Sequence, residues 1–306
     1  MFFVTLISVA IMLLYAVPGF LLVKSKLVKP AAIPAFATLL MYVCQPCLTI
    51  YAFQKVDYTP QLAGQIAVVF GLGLLIMGAV LGIFAFFVRK KYDDARWRVA
   101  NLCAAFGNCT FIGLPLVEAL LPDYPQAVVF SMAFFIAMSV LGWTVGSTLI
   151  TRDFSYCRPL KVVLNPAVLS LAAALPLFFF HVSLPDQLGS AITLMGKMST
   201  PLCMLVVGMR LATVPLRRIF TDKLQYLAVG VKQLVMPLIA LLFVSFLPLE
   251  PNLKLTVYIL SCCPVAAVVL TFAEMLGEGQ DSAANGVLLG TLLSIVTLPL
   301  MLLLVA

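Results

Sequence analysis

The sequence predicts an all-α membrane protein in which ten transmembrane helices form two inverted five-helix repeats, with broken helices 4 and 9 crossing at the centre. Three observations predict it. Of 306 residues, 63% are hydrophobic and only 10% are charged, against roughly 25% charged in an ordinary soluble domain. The apolar residues fall in successive runs that reach the about 20 residues a helical crossing of the hydrocarbon layer requires. Lys and Arg collect in alternate links between those runs, as the positive-inside rule demands.

The spans lie at about 2 to 24, 32 to 53, 62 to 88, 97 to 121, 125 to 150, 162 to 181, 187 to 211, 223 to 247, 253 to 277 and 282 to 304. They are helical, because the runs are too long and continuous for barrel strands and lipid offers the backbone no other partners. Met1, Phe2 and Phe3 supply no basic stretch before the first run, and Lys24, Lys26 and Lys29 follow it. The first segment is therefore expected to be retained as a helix with its N-terminus outside. The odd-numbered links hold fifteen basic residues: Lys24, Lys26, Lys29, Arg89, Lys90, Lys91, Arg96, Arg98, Arg152, Arg158, Lys161, Arg210, Arg217, Arg218 and Lys223. The even-numbered links hold two, Lys55 and Lys254, which places both termini outside the cytoplasm of a cell (inner or plasma) membrane.

The net charge of +7 is spread over links and forms no single basic face, so it points to membrane orientation and away from nucleic acid. Seven of the eight cysteines lie in apolar spans, with Cys157 alone in a link, which favours packing over disulfides. The single His181 cannot build a zinc site. No nucleotide-binding glycine loop or hydrolase elbow is present; neither ATP-driven pumping nor a cofactor is expected.

The whole chain, 1–306, reads as one membrane domain. Cut in the link from Arg152 to Lys161, it gives repeats 1–153 and 158–306 with five spans each. An odd number of spans makes the second repeat enter from the opposite side. The halves share punctuation: Cys44-Gln45-Pro46-Cys47 matches Ser199-Thr200-Pro201-Leu202, and Pro115 matches Pro264. Paired interruptions in an inverted repeat point to a secondary transporter with a site near the midplane. In Gly107-Asn108-Cys109-Thr110-Phe111-Ile112-Gly113-Leu114-Pro115, the glycines loosen the helix and the proline deletes a donor. Its counterpart is Ser261-Cys262-Cys263-Pro264-Val265-Ala266. If the two breaks cross, two half-helix N-termini face one anion in a wet, electropositive cavity.

Asn108 to Pro115, with Thr271-Phe272-Ala273-Glu274 and Gly290-Thr291-Leu292-Leu293-Ser294-Ile295-Val296-Thr297-Leu298-Pro299, resemble the auxin efflux carrier family, which includes the plant PIN carriers. The resemblance covers essentially the whole chain. It implies an elevator-type carrier with a scaffold domain and a transport domain, bacterial members handling malate, malonate and similar acids, and a homodimer. Plant members open each crossover with an Asn-Pro-Asn-type break; here the first retains Asn108 before Pro115, and the second has Cys262-Cys263-Pro264 without Asn.

The expected substrate contacts are Asn108, Cys109, Thr110, Pro115, Cys263, Pro264 and Val265, with Lys197, Gln45 and Thr200 beside the second pair of kinks. Lys197 is read as the positive charge of the site, since an ammonium in a span needs a partner or water. Lys232 and Glu118 are the coupling candidates if a proton or sodium is coupled. Glu118 and Glu274 are otherwise read as exposed span ends. The expected function is secondary transport of a small organic anion, a mono- or dicarboxylate. Two alternatives stay open: a sodium- or proton-coupled cation exchanger of similar fold, and an intramembrane enzyme or sensor, for which His181 is poorly placed.

Overall fold

The computed structural model describes residues 6, 7, 10, 11, 14 to 157, 160 and 163 to 305. Met1, Phe2, Phe3, Arg158 and Lys161, used in the charge reading, lie outside the described residues, as do the side chains of Cys157 and Arg218. The described chain is helical apart from links and one isolated antiparallel bridge. We number its helices α1 (Ala16–Lys24), α2 (Pro30–Phe53), α3 (Pro60–Val88), α4 (Ala95–Ala105), α5 (Cys109–Leu120) and α6 (Gln126–Thr151). There follow α7 (Pro166–Phe179), α8 (Asp186–Leu211), α9 (Leu216–Thr221), α10 (Lys223–Phe246), α11 (Pro251–Cys262), α12 (Ala267–Leu276) and α13 (Gln280–Leu302). Six of the described helices are long and apolar enough to cross a membrane: α2, α3, α6, α8, α10 and α13. α5, α7 and α12 are shorter and equally apolar.

Helix starts follow from local chemistry. Thr59 Oγ1 accepts from the Leu62 N–H at 3.1 Å ahead of Pro60 in α3, and Asn165 Oδ1 accepts from the Val168 N–H at 2.9 Å ahead of Pro166 in α7. Each pairs a capping side chain with a proline whose missing N–H would be unsatisfied anyway. Asp94 caps α4, and its bonds to Arg96 hold the carboxyl below its usual range.

Three helices widen into π turns just before a proline: Leu40–Cys44 before Pro46, Cys109–Gly113 before Pro115, and Val231–Val235 before Pro237. A proline ring collides with the carbonyl four residues back and offers it no donor; a wider turn relieves both. The sequence therefore marks where these three helices loosen; α6 widens likewise at Gly142–Gly146 with no proline after it.

The paired broken helices α4–α5 and α11–α12 lie inside the bundle, packed by α6, α10 and α13. α6 is buried continuously from Ala127 to Ser139, whereas α3 presents Phe87 at 79% exposure. The contrast makes α6 an inner helix and gives α3 an outward apolar face fit for lipid. α1 lies against the second half of α8 at a very close crossing. A Cβ on Gly208 would sit 1.8 Å from the Ala16 carbonyl oxygen, and one on Gly19 2.1 Å from that of Leu205. Small residues set such approaches where no hydrophobic force draws helices together.

Gly208→Ala should therefore destabilise the protein by about 1–3 kcal/mol, read as a lower melting temperature in detergent. Gly78→Ala, with nothing within 4 Å of the new methyl, is the neutral control; equal melting of both variants would contradict the packing described.

Candidate functional site

The broken helices meet backbone to backbone. α4 ends at Ala105, Phe106 turns extended, and Asn108 starts α5 as its N-cap. α11 ends at Cys262, Cys263 turns extended, and Ala266 precedes α12. Across the gap the Asn108 N–H donates to the Pro264 carbonyl at 2.8 Å, and the Ala266 N–H donates to the Phe106 carbonyl at 2.9 Å. This is a minimal antiparallel bridge pairing Gly107 with Val265. Each break frees polar backbone groups in a buried place, and each satisfies the other's without water.

Small residues make room for the crossing. A Cβ on Gly290 of α13 would lie 2.8 Å from Val265 Cγ2, and one on Gly113 3.1 Å from Cys263 Sγ. On Gly107 it would meet Lys232 Cε at 2.9 Å and Nζ at 3.0 Å. Lys232, in the π turn of α10, is 0% exposed and donates from Nζ to the Ser261 carbonyl at 2.8 Å.

At the α5 N-terminus, Asn108 is 2% exposed. Its Oδ1 accepts from the Phe111 N–H at 3.3 Å and its carbonyl from the Gly113 N–H at 2.9 Å. Among the described residues its amide Nδ2 has no hydrogen-bond partner, and neither has the buried hydroxyl of Thr110. Unsatisfied buried groups are uncommon in native proteins. Here a free NH₂ donor and a free hydroxyl stand together at the positive end of a helix, an arrangement able to receive a carboxylate. Cys109 and Cys263 flank it as buried thiols.

A second feature lies further along α5. A cavity of about 370 Å³ is lined by Pro115 and Glu118 of α5, Tyr51 of α2, and Lys197, Thr200 and Pro201 of α8, among others. Lys197 is exposed, forms no ion pair among the described residues, and holds Nζ 5.5 Å from the Tyr51 ring centre. Glu118 pairs with Lys55. Beside the cavity Gly196 presses on the Cys47–Leu48 backbone, 2.9 Å from the place of a Cβ to Leu48 N, so the kinks at Pro46 and Pro201 adjoin. Gln45 is buried, with both side-chain amide atoms unpartnered among the described residues, and Thr49 Oγ1 donates to the Gln45 backbone carbonyl at 3.2 Å.

The residues expected at one site thus fall into two groups. Asn108, Cys109, Thr110, Cys263, Pro264 and Val265 form the crossing; Pro115, Glu118, Lys197 and Thr200 line the cavity, with Gln45 in the kink beside it. Seven residues from Asn108 to Pro115 amount to about 10 Å along the helix axis. The ammonium at the crossing is that of Lys232, not Lys197. Glu274, expected at an exposed end, has a side chain only 7% exposed, because Arg210 Nε reaches it at 3.2 Å. Ser199, signalled in the sequence only by its place in the kink motif, has a buried hydroxyl with no partner among the described residues.

Comparison with known proteins adds two findings. The family described as Membrane transport protein matches residues 4–157 and 149–302. A protein of Rhizobium meliloti (strain 1021), named "Putative malonate transporter", is 24% identical over 272 residues, covering 85% of this chain and 83% of that one.

Thiol accessibility tests the division. In detergent-solubilised protein, with the parent chain as blank, Lys197→Cys and Thr200→Cys should react readily with a small cationic methanethiosulfonate, and Thr110→Cys much more slowly. A Thr110→Cys variant reacting as fast as Lys197→Cys would show that the crossing is not closed off.

Proposed function

The chain belongs to the membrane transport protein family, as its resemblance to auxin efflux carriers implies, and from that premise we propose that it is a secondary carrier for a small organic anion. A multi-pass membrane transporter is the footing; the substrate class, the ten-span inverted repeat and the elevator movement are our reading. One observation carries it: unpartnered Asn108 Nδ2 and Thr110 Oγ1 at the N-terminus of a broken helix, where a second broken helix crosses.

Length supports a site halfway through the membrane. α4 has 11 residues, about 16 Å of helix, and cannot cross a layer of about 30 Å. α4 and α5 in series are long enough, and so are α11 and α12, which supports reading both breaks as lying near the midplane. Counting each broken pair as one span and the N-terminal helix as another gives ten, in two halves of opposite sense. The basic links then face the cytoplasm and both termini lie outside it.

The carboxylate of a substrate would accept from Asn108 Nδ2 and Thr110 Oγ1, with the α5 and α12 N-termini supplying positive potential. Lys197, free of an ion pair among the described residues and at the wall of the cavity, would raise the local concentration of anions. Because Asn108 is almost fully buried, a solute reaches it only if one set of helices moves against the other, which is the motion an elevator provides. Malonate is the first substrate to try, on the name of the Rhizobium relative. A cation exchanger would call for a carboxylate at the crossing; among the described residues, Lys232 sits there instead. A homodimer is taken from the family resemblance alone.

In proteoliposomes, Asn108→Ala should lower the initial rate of labelled malonate uptake by about tenfold or more, as expected for one lost hydrogen bond to a charged group. Lys197→Gln should raise KM with little effect on the maximal rate. Unchanged uptake by Asn108→Ala would remove that residue from the site, and cation flux without any organic acid would favour the exchanger.

A further inference from the structure

At the crossing two helices end and two begin. The C-terminal ends of α4 and α11 each carry roughly half a negative charge from their free carbonyls, and the bridge between Gly107 and Val265 holds those ends together in the buried interior. Two like partial charges facing each other in a medium of low dielectric are costly unless a cation lies between them. Lys232 Nζ lies there. It donates to the Ser261 carbonyl in the last turn of α11 at 2.8 Å, and 3.0 Å separates it from the place of a Cβ on Gly107, just beyond the end of α4.

The ammonium has no carboxylate partner among the described residues. Its four-carbon stem comes from the π turn Val231–Val235, and the next residue, Gln233, is fixed by a bond to the Gly290 carbonyl and one from Thr297. The missing side chain of Gly107 leaves space for its head, since a Cβ there would press on Cε and Nζ. Neither snorkelling to water nor an ion pair accounts for a lysine so placed; the paired helix ends do.

We propose that Lys232 is a tethered cation that settles the charge of the two inward-facing helix ends, so that the crossing holds together without a bound monovalent cation. The inference deepens the transport reading, yet its stability arm needs no substrate. Lys232 acts as a positioning residue: it holds the two C-terminal ends together and leaves the N-terminal ends free to attract the anion. Removing its charge while keeping its length should open a vacancy for a small monovalent cation.

The test compares wild type, Lys232→Gln and Lys232→Arg in NaCl and in choline chloride at equal ionic strength. Wild type should show the same melting temperature and the same malonate uptake in both salts. Lys232→Gln should melt lower in choline and recover part of the loss in sodium, because a cation that binds only the folded state stabilises it by mass action; its uptake in choline should fall by about tenfold or more. Lys232→Arg should keep the salt-insensitive melting of wild type, and it serves as the reporter should Lys232→Gln fail to fold. Sodium-dependent melting or uptake in wild type would overturn the proposal. So would Lys232→Gln melting identically in both salts, or Lys232→Arg becoming sodium-dependent. If no organic acid is transported, the melting arm still decides on Lys232 and the failure falls on the substrate reading alone.

Discussion

Two backbone hydrogen bonds, Asn108 N–H to Pro264 and Ala266 N–H to Phe106, are the constraint on which the rest of the architecture depends. A helix interrupted inside an apolar bundle exposes donors and acceptors that water cannot reach, at a cost of several kcal/mol for each unsatisfied group. Two interruptions laid across one another cancel much of that cost. Each break thus supplies partners that the other needs, and this ties α4–α5 to α11–α12 through the backbone as well as through side-chain packing.

The neighbouring residues follow from the same constraint. Gly107, Gly113 and Gly290 keep side chains out of the crossing, and Pro264 supplies a carbonyl without a competing N–H. Lys232 settles the charge of the two helix ends that point inward. What is left over is one-sided: the N-terminal end of α5 keeps donors with no partner among the described residues, Asn108 Nδ2 and Thr110 Oγ1. α5 ties this crossing to the open cavity, because Asn108 begins the helix and Pro115 and Glu118 lie along it. Displacement of α5 would therefore change both places together.

The breaks were legible in the sequence because their causes are local. Gly107, Asn108, Pro115 and Pro264 each disturb a helix through their own backbone or capping chemistry, wherever the chain goes next. The charges were not, because their settings come from elsewhere in the chain. Lys232 is placed by Ser261, which lies 29 residues away. Lys197 stands a turn from Pro201, and nothing local says that its head faces an open cavity. Glu274 looked like a span end, but Arg210 arrives from α8 and covers it. The long apolar runs announced membrane helices, while α4, with Arg96, Arg98 and Asn101 among its 11 residues, is helical through capping and burial and would not qualify on hydropathy.

The most direct measurement is a cryo-electron microscopy map of the protein in nanodiscs with malonate at saturating concentration, at a resolution that separates side chains. The account predicts ligand density against Asn108 and Thr110, beside the α12 N-terminus, with both helices still broken and Lys232 still on Ser261. Continuous helices through Gly107 and Val265, or malonate bound away from the crossing while its transport proceeds, would contradict it.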